Sequence, residues 1–128
     1  MKSIDANGRK VNPFYTPRLP YNPDDYPLPP VRDIGPTIAA IWWVERSGLC
    51  RDDKTYLMIL LTRMDPENPS GVFEFTQMGR EMCVSPTRVK AAQQRLWKAG
   101  FVTFSRRENV PSPVTLNLAD LGRLLEGK

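Results

Sequence analysis

Between Ser85 and Ala99 the chain reads SPTRVKAAQQRLWKA, and it concentrates polar side chains on one face. At about 100° per residue, Thr87, Ala91, Gln94 and Lys98 share one side of a helix, flanked by Lys90 on one edge and by Arg88 and Arg95 on the other. No carboxylate stands among them, whereas an exposed helix ordinarily mixes Glu with Lys. The chemistry available to such a face is hydrogen bonding to base edges and phosphates. Arg forks onto guanine, Gln onto adenine, and a small Ala lets a thymine methyl approach. Val89, Ala92 and Leu96 fall on the opposite side and form the apolar stripe that would hold the face in position.

The elements that must position it are written on either side. Met78 to Val89, MGREMCVSPTRV, places Met78, Met82, Val84 and Val89 at core spacing, with Gly79 at a position of close helix approach. Ser85 is a predicted N-cap and Pro86 the first helical residue, where its missing N–H costs nothing. LWKAGFVTF at 96–104 reads as a helix ended by Gly100 and followed by a strand.

These segments, about residues 52–126, resemble the winged helix-turn-helix superfamily of bacterial, phage and plasmid DNA-binding proteins, including replication-initiator-like modules and MarR-type regulators. The resemblance implies that Thr87, Arg88, Ala91 and Gln94 enter the major groove. It implies that Arg80, Ser85, Arg95 and Lys98 hold phosphates, with Lys90 beside them. Arg106, Arg107 and Asn109 would sit at the tip of a wing spanning about 106–112 and reach the minor groove or phosphates. Three features depart from the pattern. Cys83 replaces the usual turn glycine, Arg88 stands where Thr is frequent, and the short helix is expected to begin almost directly after Thr76. Cys83 is expected to be a small buried residue, with a reactive thiol as the alternative.

The remaining chain fits this frame. At 128 residues it holds one modest core. Eight of its 13 prolines lie in the first 36 residues, predicting an extended, proline-rich arm over 1–35 and a compact domain over 36–128. Net charge is +4, and its excess lies in residues 76–109, which carry seven basic and two acidic side chains. That distribution suits an anionic partner. Lys2, Arg9, Lys10 and Arg18 add spaced cations to the arm, as solvated charges or as a second DNA contact.

Catalytic readings find little support. The chain has no histidine, its two cysteines have no metal-ligand spacing, and Asp24-Asp25 and Asp52-Asp53 match neither a metal loop nor a catalytic dyad. We therefore expect a non-enzymatic protein without metal or cofactor. No apolar run is long enough to span a membrane, so the expected setting is cytoplasmic and nucleoid-associated.

Periodicity predicts a helix over 36–47, a second opened by Asp52 as N-cap, a strand at 72–75, a short helix over 77–82 and a long helix over 86–99. A strand from Phe101, a returning strand VTLNL and a final helix ADLGRLLEG follow. The fold class expected is mainly α with a small β-hairpin wing (α+β), a winged helix-turn-helix. Apolar residues almost all round the 36–47 helix predict burial on two sides, and Trp42 and Trp43 are read as core or dimer contacts. A homodimer through that helix and the arm is expected, with double-stranded DNA as partner. The expected role is transcriptional regulation. The alternatives are a plasmid or phage replication or partition factor, and a protein-interaction module that does not bind DNA.

Overall fold

The computed structural model describes residues 21–107 and 109–126, and the backbone of Ser3–Ile4 (β1) and Lys10–Val11 (β2), which pair antiparallel. The sequence-predicted arm cations Lys2, Arg9 and Arg18 and the side chain of Lys10 lie outside the described residues.

The core begins at Ile38–Arg46 (α1), entered through a 3-10 turn at Gly35–Thr37 in which Pro36 fixes the backbone. The predicted 36–47 helix is thus two short elements. Only Ala40 and Val44 of α1 are buried, and Ile38, Trp42 and Trp43 are 45%, 57% and 51% exposed. Burial of α1 on two sides is therefore not met among the described residues. Trp43 instead lies against Gly122, where an added Cβ would be 3.2 Å from its ring.

Arg51–Arg63 (α2) supplies the largest block of core, with Tyr56, Leu57, Leu60 and Leu61 almost fully buried. Each such side chain contributes roughly 1.5–3 kcal/mol of transfer free energy. Its N-cap is Cys50 rather than Asp52. Asp52 and Asp53 fall inside the first turn, where negative charge complements the exposed N–H groups, and both carboxylates are bound by arginines of a later helix.

Ser70–Val72 (β3) ends where the sequence predicts a strand to begin. Phe73 turns into the core, and Glu74 caps the next helix by accepting from the Gln77 backbone N–H at 3.0 Å. Phe75–Met82 (α3) consequently starts two residues earlier than predicted.

After the turn Cys83-Val84-Ser85 comes Pro86–Lys98 (α4), which buries Val89, Ala92, Gln93 and Leu96. Its end is a Schellman arrangement. Gly100, at φ +90°, donates to the Trp97 carbonyl, and the Phe101 N–H returns to that of Leu96 at 2.9 Å. Val102–Phe104 (β4) and Pro113–Leu116 (β5) form an antiparallel hairpin, and β3 adds to the other edge of β5. The sheet order is β3-β5-β4. Leu121–Leu125 (α5) closes the fold against α1. The architecture is α+β, helices around a three-stranded antiparallel sheet.

From Tyr21 onward the proline-rich segment is laid across the body. The 3-10 turn Pro23–Asp25 packs on α3, the Arg32 N–H donates to the Thr62 carbonyl at 2.8 Å, and Arg63 Nη1 donates to the Pro29 carbonyl at 2.8 Å. These bonds satisfy backbone groups that prolines leave without ladder partners.

Candidate nucleic-acid interface

The joint between α3 and α4 is fixed by backbone contact. Val84 donates to the Gly79 carbonyl at 3.0 Å, and a Cβ built on Gly79 would lie 2.7 Å from the Val84 carbonyl oxygen. No side chain fits there, so glycine sets how closely the turn approaches α3. Cys83 adopts the left-handed conformation, φ 60° and ψ 40°, the backbone for which glycine is the ordinary choice. Its side chain is exposed, which corrects the expectation of a small buried cysteine. The left-handed backbone at a helix C-cap directs it away from the core. Ser85 caps α4 as expected, its hydroxyl accepting from the Arg88 N–H at 3.3 Å.

The outward face of α4 carries the residues singled out in the sequence. Thr87, Arg88, Lys90, Gln94, Arg95 and Lys98 are exposed and Ala91 is half-buried. Their electrostatic states divide them. Arg88 forks onto Asp52 through Nε and Nη2 at 3.0 and 2.9 Å. Arg95 forks onto Asp53, with the Nη2 contact at 2.8 Å, and this hydrogen bond holds its guanidinium above the ordinary pKa. Arg80 pairs with Asp24 at 3.0 Å. By contrast, Lys90, Lys98, Arg106 and Arg107 form no ion pair with any described residue.

Those four cations lie together. Lys90, Gln94, Arg106 and Arg107 line one hollow of about 210 Å³ between α4 and the β4–β5 loop. Gln94, Lys98 and Arg106 line the adjoining depression, with Trp97 and Phe104 as its aromatic wall. The two rings are 5.9 Å apart. Asn109 is exposed at φ 63°, a left-handed residue in the same loop.

Several residues here were not singled out by sequence. Gln93 is 5% exposed and donates to the Tyr56 hydroxyl at 3.0 Å. Burial pushes the Tyr56 phenol well above its usual range. Glu74 is 2% exposed and accepts from the Tyr21 hydroxyl at 3.0 Å. Burial and that carboxylate push Tyr21 up to about 12, so it remains a donor. A usable signal existed for Gln93, since one helical step of four from Val89 places it on the buried side. Glu74 carried none, because glutamate is an uncommon N-cap.

Among the described residues no group of His, Cys, Asp or Glu is able to hold a metal ion, and no helix is long and apolar enough to cross a membrane. Comparison with protein-family models, curated proteins and solved structures finds no match to this chain.

Proposed function

We propose that this chain is a winged helix-turn-helix protein that binds double-stranded DNA sequence-specifically, with α4 in the major groove and the β4–β5 loop as wing. One observation carries the reading: Lys90, Gln94 and Lys98 of α4 line two adjoining hollows together with Arg106 and Arg107, and these four cations pair with no carboxylate among the described residues. Phosphates require such cations, and base edges require the neutral donors and acceptors of Thr87 and Gln94 between them. In this reading Arg88 and Arg95 keep part of their donor set for phosphate while their carboxylate partners fix their direction.

Transcriptional regulation is the role proposed, through a homodimer that covers Ile38, Trp42 and Trp43 and presents two copies of α4 to paired half-sites. A replication or partition factor would use the same surface. The pairing of Arg80, Arg88 and Arg95 with aspartates favours a second reading, a protein-interaction module, because it removes three cations from the available positive charge.

Duplex binding measured against salt tests the proposal. A DNA complex should show log K falling linearly with log salt by roughly 0.9 per phosphate neutralised. Lys98→Ala and Arg106→Ala should each reduce that slope by about one, whereas Gln94→Ala should weaken preference among sequences by about 1–3 kcal/mol. Absent or salt-independent binding would overturn the DNA reading and leave the interaction module.

A further inference from the structure

We propose that the hollow between α4 and the β4–β5 loop is a binding site for one nucleotide, a nucleobase together with its phosphate. The hollow shares Lys90, Gln94, Arg106 and Arg107 with the surface proposed for duplex DNA and adds to it a buried interior formed by Tyr21, Glu74, Phe75 and Gln93.

Three properties of the hollow define the ligand. Its lining is partly aromatic: Tyr21, Phe75 and Phe104, each half-buried, border it. Aromatic side chains of this kind favour a flat ring that can stack on them. The volume of about 210 Å³ exceeds the roughly 150 Å³ in which an apolar cavity holds one benzene. The hollow is therefore on the scale of one base-sized ring.

The floor is polar and buried. Gln93 lines the hollow and uses its amide nitrogen on Tyr56, while its amide oxygen has no partner among the described residues. Glu74 also lines it, each carboxylate oxygen having one protein donor, from Gln77 and from Tyr21, and a further lone pair to offer. A buried amide acceptor and a carboxylate select a ring edge that carries N–H donors. A hydrocarbon ring would leave the Gln93 amide oxygen without a partner, at a cost.

The third property is charge. Lys90, Arg106 and Arg107 stand exposed on the same lining and pair with no described carboxylate. A flat ring with N–H donors inside and an anion outside is a nucleotide. It could be free in solution or an unstacked residue of a single strand, and both present the same chemistry to the protein.

The test uses the full chain with two probes, each nucleoside monophosphate in turn and a single-stranded oligonucleotide containing 2-aminopurine. NMR follows the Phe104 ring in every protein and the Gln93 side-chain amide where it is retained, and fluorescence follows the base. Saturable shifts with either probe are expected, weakened at least tenfold in Gln93→Leu and in the double variant Lys90→Ser/Arg106→Ser. The latter changes only exposed side chains and should keep the fold. Ribose 5-phosphate or the unphosphorylated nucleoside should bind at least tenfold more weakly than the nucleotide. Response to the monophosphate assigns the site to free nucleotide, and response to the strand alone assigns it to an unstacked base. Absence of response to both probes, or a response undiminished in Lys90→Ser/Arg106→Ser, would overturn the inference. The salt titration of duplex binding is read separately and decides only the DNA proposal.

Discussion

Asp53, 6% exposed in the first turn of α2, is gripped by Arg95 of α4 through Nη2 at 2.8 Å and Nε at 3.1 Å. The pair joins two helices whose packing also orients the polar face of α4. Hydrogen bonds to charged groups contribute about 1.5–3 kcal/mol, and screening at the half-exposed guanidinium lowers that figure. Arg95→Ala leaves a buried carboxylate without its partner and should cost about 2 kcal/mol, and Asp53→Asn about 1 kcal/mol. Urea denaturation of both single variants and the double variant would give the coupling; additive losses would show that the pair contributes nothing as a unit.

Asp52 holds the neighbouring arginine at the edge of the same face. Asp52→Asn should free Arg88, raise affinity for duplex of any sequence and steepen the salt slope by about one. The gain should be largest for non-cognate DNA, so specificity falls while affinity rises. Unchanged slopes in a filter-binding series would mean that Arg88 does not contact phosphate in either form.

The turn between α3 and α4 gives two substitutions of opposite sign. Gly79→Ala drives a methyl against the Val84 carbonyl, a backbone atom that cannot swing away, and should cost about 1–3 kcal/mol. Cys83→Gly relieves a left-handed conformation that an L side chain opposes by about 1–2 kcal/mol. After the backbone entropy of glycine is counted, it should stabilise by about 0.5–1 kcal/mol. Thermal melts of the two proteins should move in opposite directions from the parent.

Stability should decline at alkaline pH. The folded-state Tyr21 phenol ionises at about 12 against an ordinary 10.0, and Tyr56 is also raised. The unfolded chain gives up these protons first, so the stabilisation is complete below about pH 10 and is lost as pH rises toward about 12. Tyr21→Phe should flatten the decline when denaturation midpoints are compared from about pH 8 to about pH 11. An identical pH profile in parent and variant would remove Tyr21 as its source.

Local rules made the α3–turn–α4 unit legible in the sequence, because each of its constraints is short-range. A serine caps its own helix, a proline starts it, a glycine ends it, and Gly79 marks a close approach five residues before the carbonyl it meets. The rest depends on distant partners. Asp52 satisfies every local requirement for an N-cap, but Arg88, 36 residues away, binds its carboxylate instead. The strand predicted at 72–75 is displaced because Phe73 finds the core and Glu74 finds Tyr21, and neither contact leaves a periodic trace. The exposed indoles of α1 show the same limit. Their apolar character is visible in the sequence, and their exposure of about half among the described residues is not.

β3 and β4 run parallel to each other on either side of β5. The stretch from Phe73 to Phe101 therefore leaves the sheet and rejoins it on the far side of β5, two strand positions or about 10 Å away laterally. That stretch is held at the β3 exit, at the β4 entry and, through α4, by the Asp52 and Asp53 pairs to α2, so exchange of side chains on the outward face of α4 can change what the surface recognises while the frame that aims it stays in place.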